Sequence, residues 1–211
     1  MYTQPTILPL ENGDRLTRQE FERRYEAMPD LKKAELIEGI VYMGSPVRAS
    51  HAVAHGHIIG WLWSYAIEVP GVQVADNATL RLDRDNEPQP DALLRWETSG
   101  RSHLGEDGYL EGSPELIVEI AASSASYDLR QKLQVYRRNE VQEYLVWQVY
   151  DRRLDWFRWH EGTYQPLAAD DQGILRSEVF PGLWLAVDAL LDGDLRTVKE
   201  VLKLGLAQKS A

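Results

Sequence analysis

Glu119 sits in the run ELIVEIA (residues 115–121), among apolar neighbours. A continuous apolar run of this length predicts a central strand covered on both faces. An isolated carboxylate there is costly, or is driven toward its neutral form, unless a cation compensates it. Lys132 offers one. In DLRQKLQVYRR (128–138), Leu129, Leu133 and Tyr136 recur at i, i+4 and i+7. That spacing marks the apolar stripe of a helix running from Asp128, a suitable N-cap, to Asn139. Lys132 lies on or beside the stripe. A helix that follows a strand after so short a connection packs back onto the sheet, which brings Lys132 toward Glu119. On these two residues alone, a structural salt bridge or a lysine reaching to solvent is as good a reading as a working site.

Asp91 adds a third group. In PQPDALL it opens a strand directly after prolines that exclude helix. Two carboxylates converging from neighbouring strands, with a lysine, can hold a hard divalent cation. Mg²⁺ takes few carboxylates and keeps several waters. Such an ion acidifies a bound water and neutralises charge at phosphorus, while a lysine can orient or deprotonate the attacking water.

The remaining pattern must supply the elements that position these groups. LTRQEFERRYEAMPD has Thr17 three residues before Glu20, a capping-box spacing, and predicts a helix over 18–28. AELIEGIVYM predicts a hairpin turning at Glu38-Gly39. SHAVAHGHIIGWLWSYAIEV predicts a helix, with Val53, His57, Trp61 and Tyr65 at intervals of four. GVQVADNATLRL offers one or two strands, and a strand enters at Asp91. SGRSHLGEDGYLEGSP reads as a polar, glycine-rich loop. EYLVWQVYDRRLDWFRWHEGTYQPL reads as an antiparallel meander turning at 151–153 and at Glu161-Gly162, and LRTVKEVLKLGLAQ as a closing helix, about 195–207. Strands interspersed with helices predict an α/β or α+β fold in a single domain over 1–211.

The 211 residues carry 44% apolar and 27% charged residues, ordinary for a globular protein. With no cysteine, thiolate metal sites and cysteine nucleophiles are excluded. The first residues show no signal-peptide pattern and no window is apolar enough to span a bilayer, so a cytoplasmic protein without membrane contact is expected. The net charge of −10 argues against a broad basic surface for nucleic acid, but not against a local groove.

Taken in order, AELIEGIVYMGSP, SHAVAHGHIIGWL, EPQPDALL, LIVEIAASSASYDLRQKLQVYRRNEVQEYLVW and FPGLWLAVDALL resemble the Uma-type family of restriction-endonuclease-like proteins, within the PD-(D/E)XK nuclease superfamily. The resemblance covers a core of about 16–191. It implies a restriction-endonuclease-like core: a mixed β-sheet flanked by helices. It also implies phosphodiester hydrolysis with Mg²⁺ or Mn²⁺. Asp91 and Glu119 match the metal-binding carboxylates, Lys132 the lysine, and Glu35 an upstream acid that can complete the site. The backbone carbonyl of Ile120 is the expected further metal ligand. His51 stands where the family often has a histidine and suits a structural or substrate-side role, or simply a polar residue at a helix start. One departure stands out: the superfamily lysine is expected two residues after the second acid, where this chain has Ala121.

Other polar groups carry weaker signals. Glu38 suits a turn for turn reasons alone. His51 and His55 have a spacing compatible with zinc, but no HExxH pattern supports it. Gln131 points elsewhere on the helix, and Tyr136 reads as core. Trp147, Trp156, Phe157 and Trp159 suit base stacking, sheet packing or an exposed subunit interface. The leading expectation is a metal-dependent DNA endonuclease acting on double-stranded DNA as a homodimer. The rival is an inactive binding or assembly module that keeps its acids and lysine as a buried ion-pair network, and a third reading is a nuclease acting on RNA or on a structured nucleic acid.

Overall fold

The computed structural model describes residues 7–44, 46–121 and 127–209. In chain order the first half comprises α1 (Arg18–Glu26), β1 (Ala34–Ile37), β2 (Ile40–Met43), α2 (Ala49–Glu68), β3 (Val72–Asp76), β4 (Leu80–Arg81), β5 (Ala92–Trp96), β6 (His103–Leu104), β7 (Leu110–Glu111) and β8 (Leu116–Ala121). The second half comprises a π-helical turn (Asp128–Lys132), α3 (Leu133–Arg138), β9 (Glu143–Gln148), β10 (Arg153–His160), β11 (Thr163–Pro166), β12 (Ile174–Arg176), β13 (Trp184–Ala186), α4 (Val187–Asp192) and α5 (Leu195–Lys209).

The main sheet has the order β11-β10-β9-β8-β5-β3. Its ladders are antiparallel except β8 with β9, which is parallel. A parallel pair cannot be closed by a hairpin and needs a crossover. That crossover is the segment carrying Lys132. Side chains alternate along β8. Leu116, Val118 and Ile120 join one core with Trp61 and Tyr65 of α2 and Leu202 of α5. Ile117 and Ala121 join a second core with Val135, Tyr136 and Tyr144. Glu119 falls on this second side. Helices therefore flank a mixed sheet, as the fold class expected.

Local chemistry explains the elements that hold. Thr17 caps α1, its hydroxyl accepting from Glu20 N at 3.4 Å. The Glu20 carboxylate turns instead to Arg23 and Arg24, and the helix ends at Glu26, before the expected Met28. The β1–β2 turn places Glu38 and Gly39 at φ 52° and 73°. Two positive φ values give the hairpin turn whose twist matches the strands. Glu38 is exposed there and pairs with Arg138.

α2 spans Ala49–Glu68, the helix that the spacing predicts. Its buried stripe is Ala54, Ile58, Trp61, Leu62 and Tyr65, while Val53 is 57% exposed, because a strict interval of four drifts around a 3.6-residue turn. Three expectations need correction. The loop expected over 99–114 contains β6 and β7, which pair with β4 in a small sheet of order β4-β7-β6. Strands of two residues leave little pattern to read. The helix expected over 128–139 opens as a π-turn and is α-helical only over Leu133–Arg138; the Asp128 cap lies outside the described side chains. The aromatic side chains of the meander are packed against the sheet, one of the readings given for them, rather than standing exposed. Trp147 and Trp156 are buried in the first core, Phe157 packs on Tyr144 and Tyr164, and the Trp159 indole donates to Arg137 O. Burial also removes base stacking by Trp147 and Trp156. Among the described residues, no helix is long and apolar enough to cross a membrane.

Gly205 gives a test of this packing. A Cβ there would overlap the Gly182 carbonyl and stand 2.7 Å from the Trp184 ring. Helix propensity alone favours alanine by about 1 kcal/mol, but backbone overlap of this kind costs about 1–3 kcal/mol or more. Gly205→Ala should therefore lower the urea midpoint. Gly60→Ala, with open space around its Cβ, should raise it.

Candidate functional site

β5 and β8 bring the two principal acids together. Their antiparallel register pairs Ala92 with Val118, and one step further sets Asp91 opposite Glu119. Asp91 Oδ2 accepts the Ile120 N–H at 2.8 Å, which fixes the carboxylate against β8. His51 Nε2 lies 3.4 Å from the same oxygen, and Lys33 Nζ 3.5 Å from Oδ1. Burial works against ionisation of Asp91. The His51 hydrogen bond, the Lys33 charge and the Ile120 N–H outweigh it and hold the carboxyl well below the usual carboxylate range.

The crossover supplies the cation. Lys132 Nζ stands 2.9 Å from Glu119 Oε1 and 2.8 Å from Glu35 Oε1, with its side chain 3% exposed. Lys132 is the last residue of the π-turn, a rare element that occurs frequently at functional sites. Ala121 occupies the expected strand position of the lysine and is packed in the second core; Lys132 reaches the same side of the sheet from the next element. Glu119 Oε1 also accepts the Tyr136 hydroxyl at 2.8 Å. Burial, then the Glu119 charge, pushes the Tyr136 phenol far up, so it stays a donor. Glu35 Oε1 accepts from Gln89 N at 2.7 Å as well as from Lys132. Gln131 points away, bonded to the Tyr42 hydroxyl.

These groups line one cleft of about 840 Å³, in which Lys33, Glu35, His51, Asp91, Glu119 and Lys132 all take part. Ile120 also lines it. His51 and His55 do not share a ligand position. His51 faces Asp91 Oδ2, whereas His55 Nε2 lies 2.9 Å from Asp91 O and 3.0 Å from Asp76 Oδ1. Among the described residues no three His, Asp or Glu groups form a ready-made metal cluster. The oxygens that the resemblance assigns to a metal are those of Asp91, Glu119 and the Ile120 carbonyl, and all three residues line the cleft. Hard oxygens in this small number, beside an ionised Asp91, fit Mg²⁺ or Mn²⁺ in chemical type.

Three participants lie outside the residues that the sequence pattern singles out for the site. Lys33 directly precedes β1 and, two residues before Glu35, points to the same side. Tyr136 belongs to the core, as its spacing predicts, but its hydroxyl also ties Glu119. Gln89 anchors Glu35 through its backbone N–H, which no side-chain pattern signals.

The segment between Asn86 and Asp91 ties the β1–β2 hairpin to β5. Glu87 exchanges backbone hydrogen bonds with Leu36, and Asn86 Oδ1 accepts from Glu38 N. The Glu87 carboxyl is pushed up to about 8 by burial and by the neighbouring Glu22. A carboxyl raised in the folded state stabilises the fold at low pH, and that stabilisation is lost as pH rises through the folded value. The window runs from the usual value of 4.5 to about 8. Wild type should therefore lose stability relative to Glu87→Gln between pH 5 and 8.5. Chemical denaturation across that range checks it, and parallel curves for the two proteins would refute it.

The family model described as "Putative restriction endonuclease" (Uma2) matches residues 18–188. The chain belongs to this family. Among solved structures, a putative nuclease belonging to DUF820 from Anabaena variabilis superposes with a TM-score of 0.65. That alignment has 12% identity and covers 81% of this chain and 96% of the other. At that identity it speaks to the fold alone: a mixed sheet flanked by helices. No curated protein matches the chain.

Proposed function

We propose that the chain is a divalent-metal-dependent endonuclease that hydrolyses phosphodiester bonds of double-stranded DNA. One observation carries the reading: Lys132 is held between Glu35 and Glu119 in the wall of a cleft shared with an ionised Asp91. Membership of a family described as restriction endonucleases supports nucleic acid as the substrate. Asp91, Glu119 and the Ile120 carbonyl would hold Mg²⁺ or Mn²⁺, which supplies charge neutralisation at phosphorus and acidifies water. Lys132 orients the attacking water by hydrogen bonding and offsets the negative charge that builds on the phosphate. Glu35 and Tyr136 keep Lys132 and Glu119 in place. His51 serves the substrate side. A homodimer suits a two-stranded target, and a cytoplasmic location completes the reading.

A second reading has its own support. Lys132 already has two carboxylate partners, as an inert ion-pair network requires, and the net charge is −10. Nicking of supercoiled plasmid by purified protein in Mg²⁺, Mn²⁺ or EDTA separates the two. Metal-dependent nicking establishes the enzyme; no nicking, together with no response of stability to Mn²⁺, leaves the inert module.

A further inference from the structure

The cleft holds a second lysine whose situation is unlike that of Lys132. Lys33 has a side chain that is 31% exposed, against 3% for Lys132. Among the described residues its only carboxylate partner is Asp91, at 3.5 Å. Its other contact is the side-chain oxygen of Asn77 at 3.4 Å. Both distances are at the outer limit of a hydrogen bond. Lys132, in contrast, is clamped at short distance by two buried carboxylates.

The surroundings of Lys33 fix its backbone and leave its ammonium end loosely held. Gly44 N donates to Lys33 O at 3.0 Å, and a Cβ at Gly44 would stand 3.1 Å from Lys33 Cβ. The chain on either side is thus set by β1 and β2. Asn77 sits at φ 49°, a conformation that asparagine tolerates better than most residues. Its N–H faces the Asp91 carbonyl at 3.3 Å, and its amide donates to Asp76. Asn77 therefore presents a neutral oxygen to the ammonium beside the carboxylate. A lysine in this position can leave Asp91 by side-chain rotation alone.

Resting on the metal reading of this cleft, we propose that Lys33 competes with the divalent cation for Asp91 and, once displaced, binds a non-bridging oxygen of the nucleic-acid phosphate. A monovalent ammonium at 3.5 Å and a divalent ion cannot both take the Asp91 carboxylate without strong repulsion. The displaced ammonium stays in the cleft on its tether. It then meets the one anionic group that the reaction brings in. Metal binding and phosphate binding are coupled in this way through a single side chain.

Calorimetric titration of the 211-residue protein with Mn²⁺ tests this without reference to turnover. Lys33→Met removes the competing charge and should tighten Mn²⁺ binding by roughly three- to tenfold. Lys33→Arg keeps the charge and should stay within about twofold of wild type, which separates charge from packing. In saturating Ca²⁺, an oxygen-seeking divalent ion that acidifies bound water less than Mn²⁺ does, a short fluorescent duplex should bind at least several-fold more weakly when Lys33 is methionine. Unchanged or weaker Mn²⁺ binding in Lys33→Met, with wild type binding Mn²⁺ normally, overturns the competition alone. Unchanged duplex affinity overturns the phosphate role. No Mn²⁺ binding by wild type overturns the metal reading and the competition together.

Discussion

Lys132→Met should destabilise the fold by about 3–5 kcal/mol in EDTA, the usual consequence of removing one partner from a buried charge cluster. Glu119 is 3% exposed and Glu35 7%, and both point a carboxylate oxygen at the lysine. Methionine fills much of the same volume, so the loss reports charge rather than a cavity. Under the nuclease reading the variant should also nick plasmid at least about a hundredfold more slowly, the scale of removing one transition-state donor. Mn²⁺ should restore part of the lost stability, because a cation held by Glu119 takes over the compensation. Under the inert-network reading the same loss occurs and Mn²⁺ changes nothing. Urea unfolding with and without Mn²⁺ reads both quantities in one experiment.

Asp91→Asn should abolish the response to metal while leaving most of the fold intact. Asparagine keeps an oxygen for the Ile120 N–H, which alanine would leave buried and unsatisfied at about 1–3 kcal/mol. What it removes is the negative charge that His51 and Lys33 face. A ligand that binds only the folded state stabilises it by about 2.7 kcal/mol at a hundred times its Kd. Wild type should show a gain of that order in saturating Mn²⁺, and Asp91→Asn almost none. A full Mn²⁺ shift in the variant would remove Asp91 from the metal shell and sink the proposed site.

The sequence disclosed those parts of the fold whose causes are local. Thr17 and the Glu38-Gly39 turn announce themselves because a cap and a left-handed turn are chosen by one or two residues. The central strand was legible because burial on both faces leaves no alternation to misread. The cleft was partly legible for the opposite reason: Glu119 and Lys132 violate the pattern around them. What stayed hidden depends on distant partners. β6 and β7 exist because β4 pairs with β7. Trp156 is buried because Trp61 of α2 meets it edge-on. The π-turn has no composition signal, and Lys33 matters only because β1 is folded against the start of β5.

The parallel β8–β9 pair has a consequence for how the site comes into being. Glu35, Asp91, Glu119 and Lys132 arrive on four separate stretches of chain, and β8 gains its second neighbour only when β9 has followed Lys132. No early fragment owns the set. During synthesis Lys132 is the last of the four to emerge, so a chain arrested ahead of the crossover carries Glu35 and Glu119 without the cation that stands between them. Joining points so far apart is also entropically costly and slow. Whatever chemistry the cleft performs is therefore withheld from a chain that stops before β9.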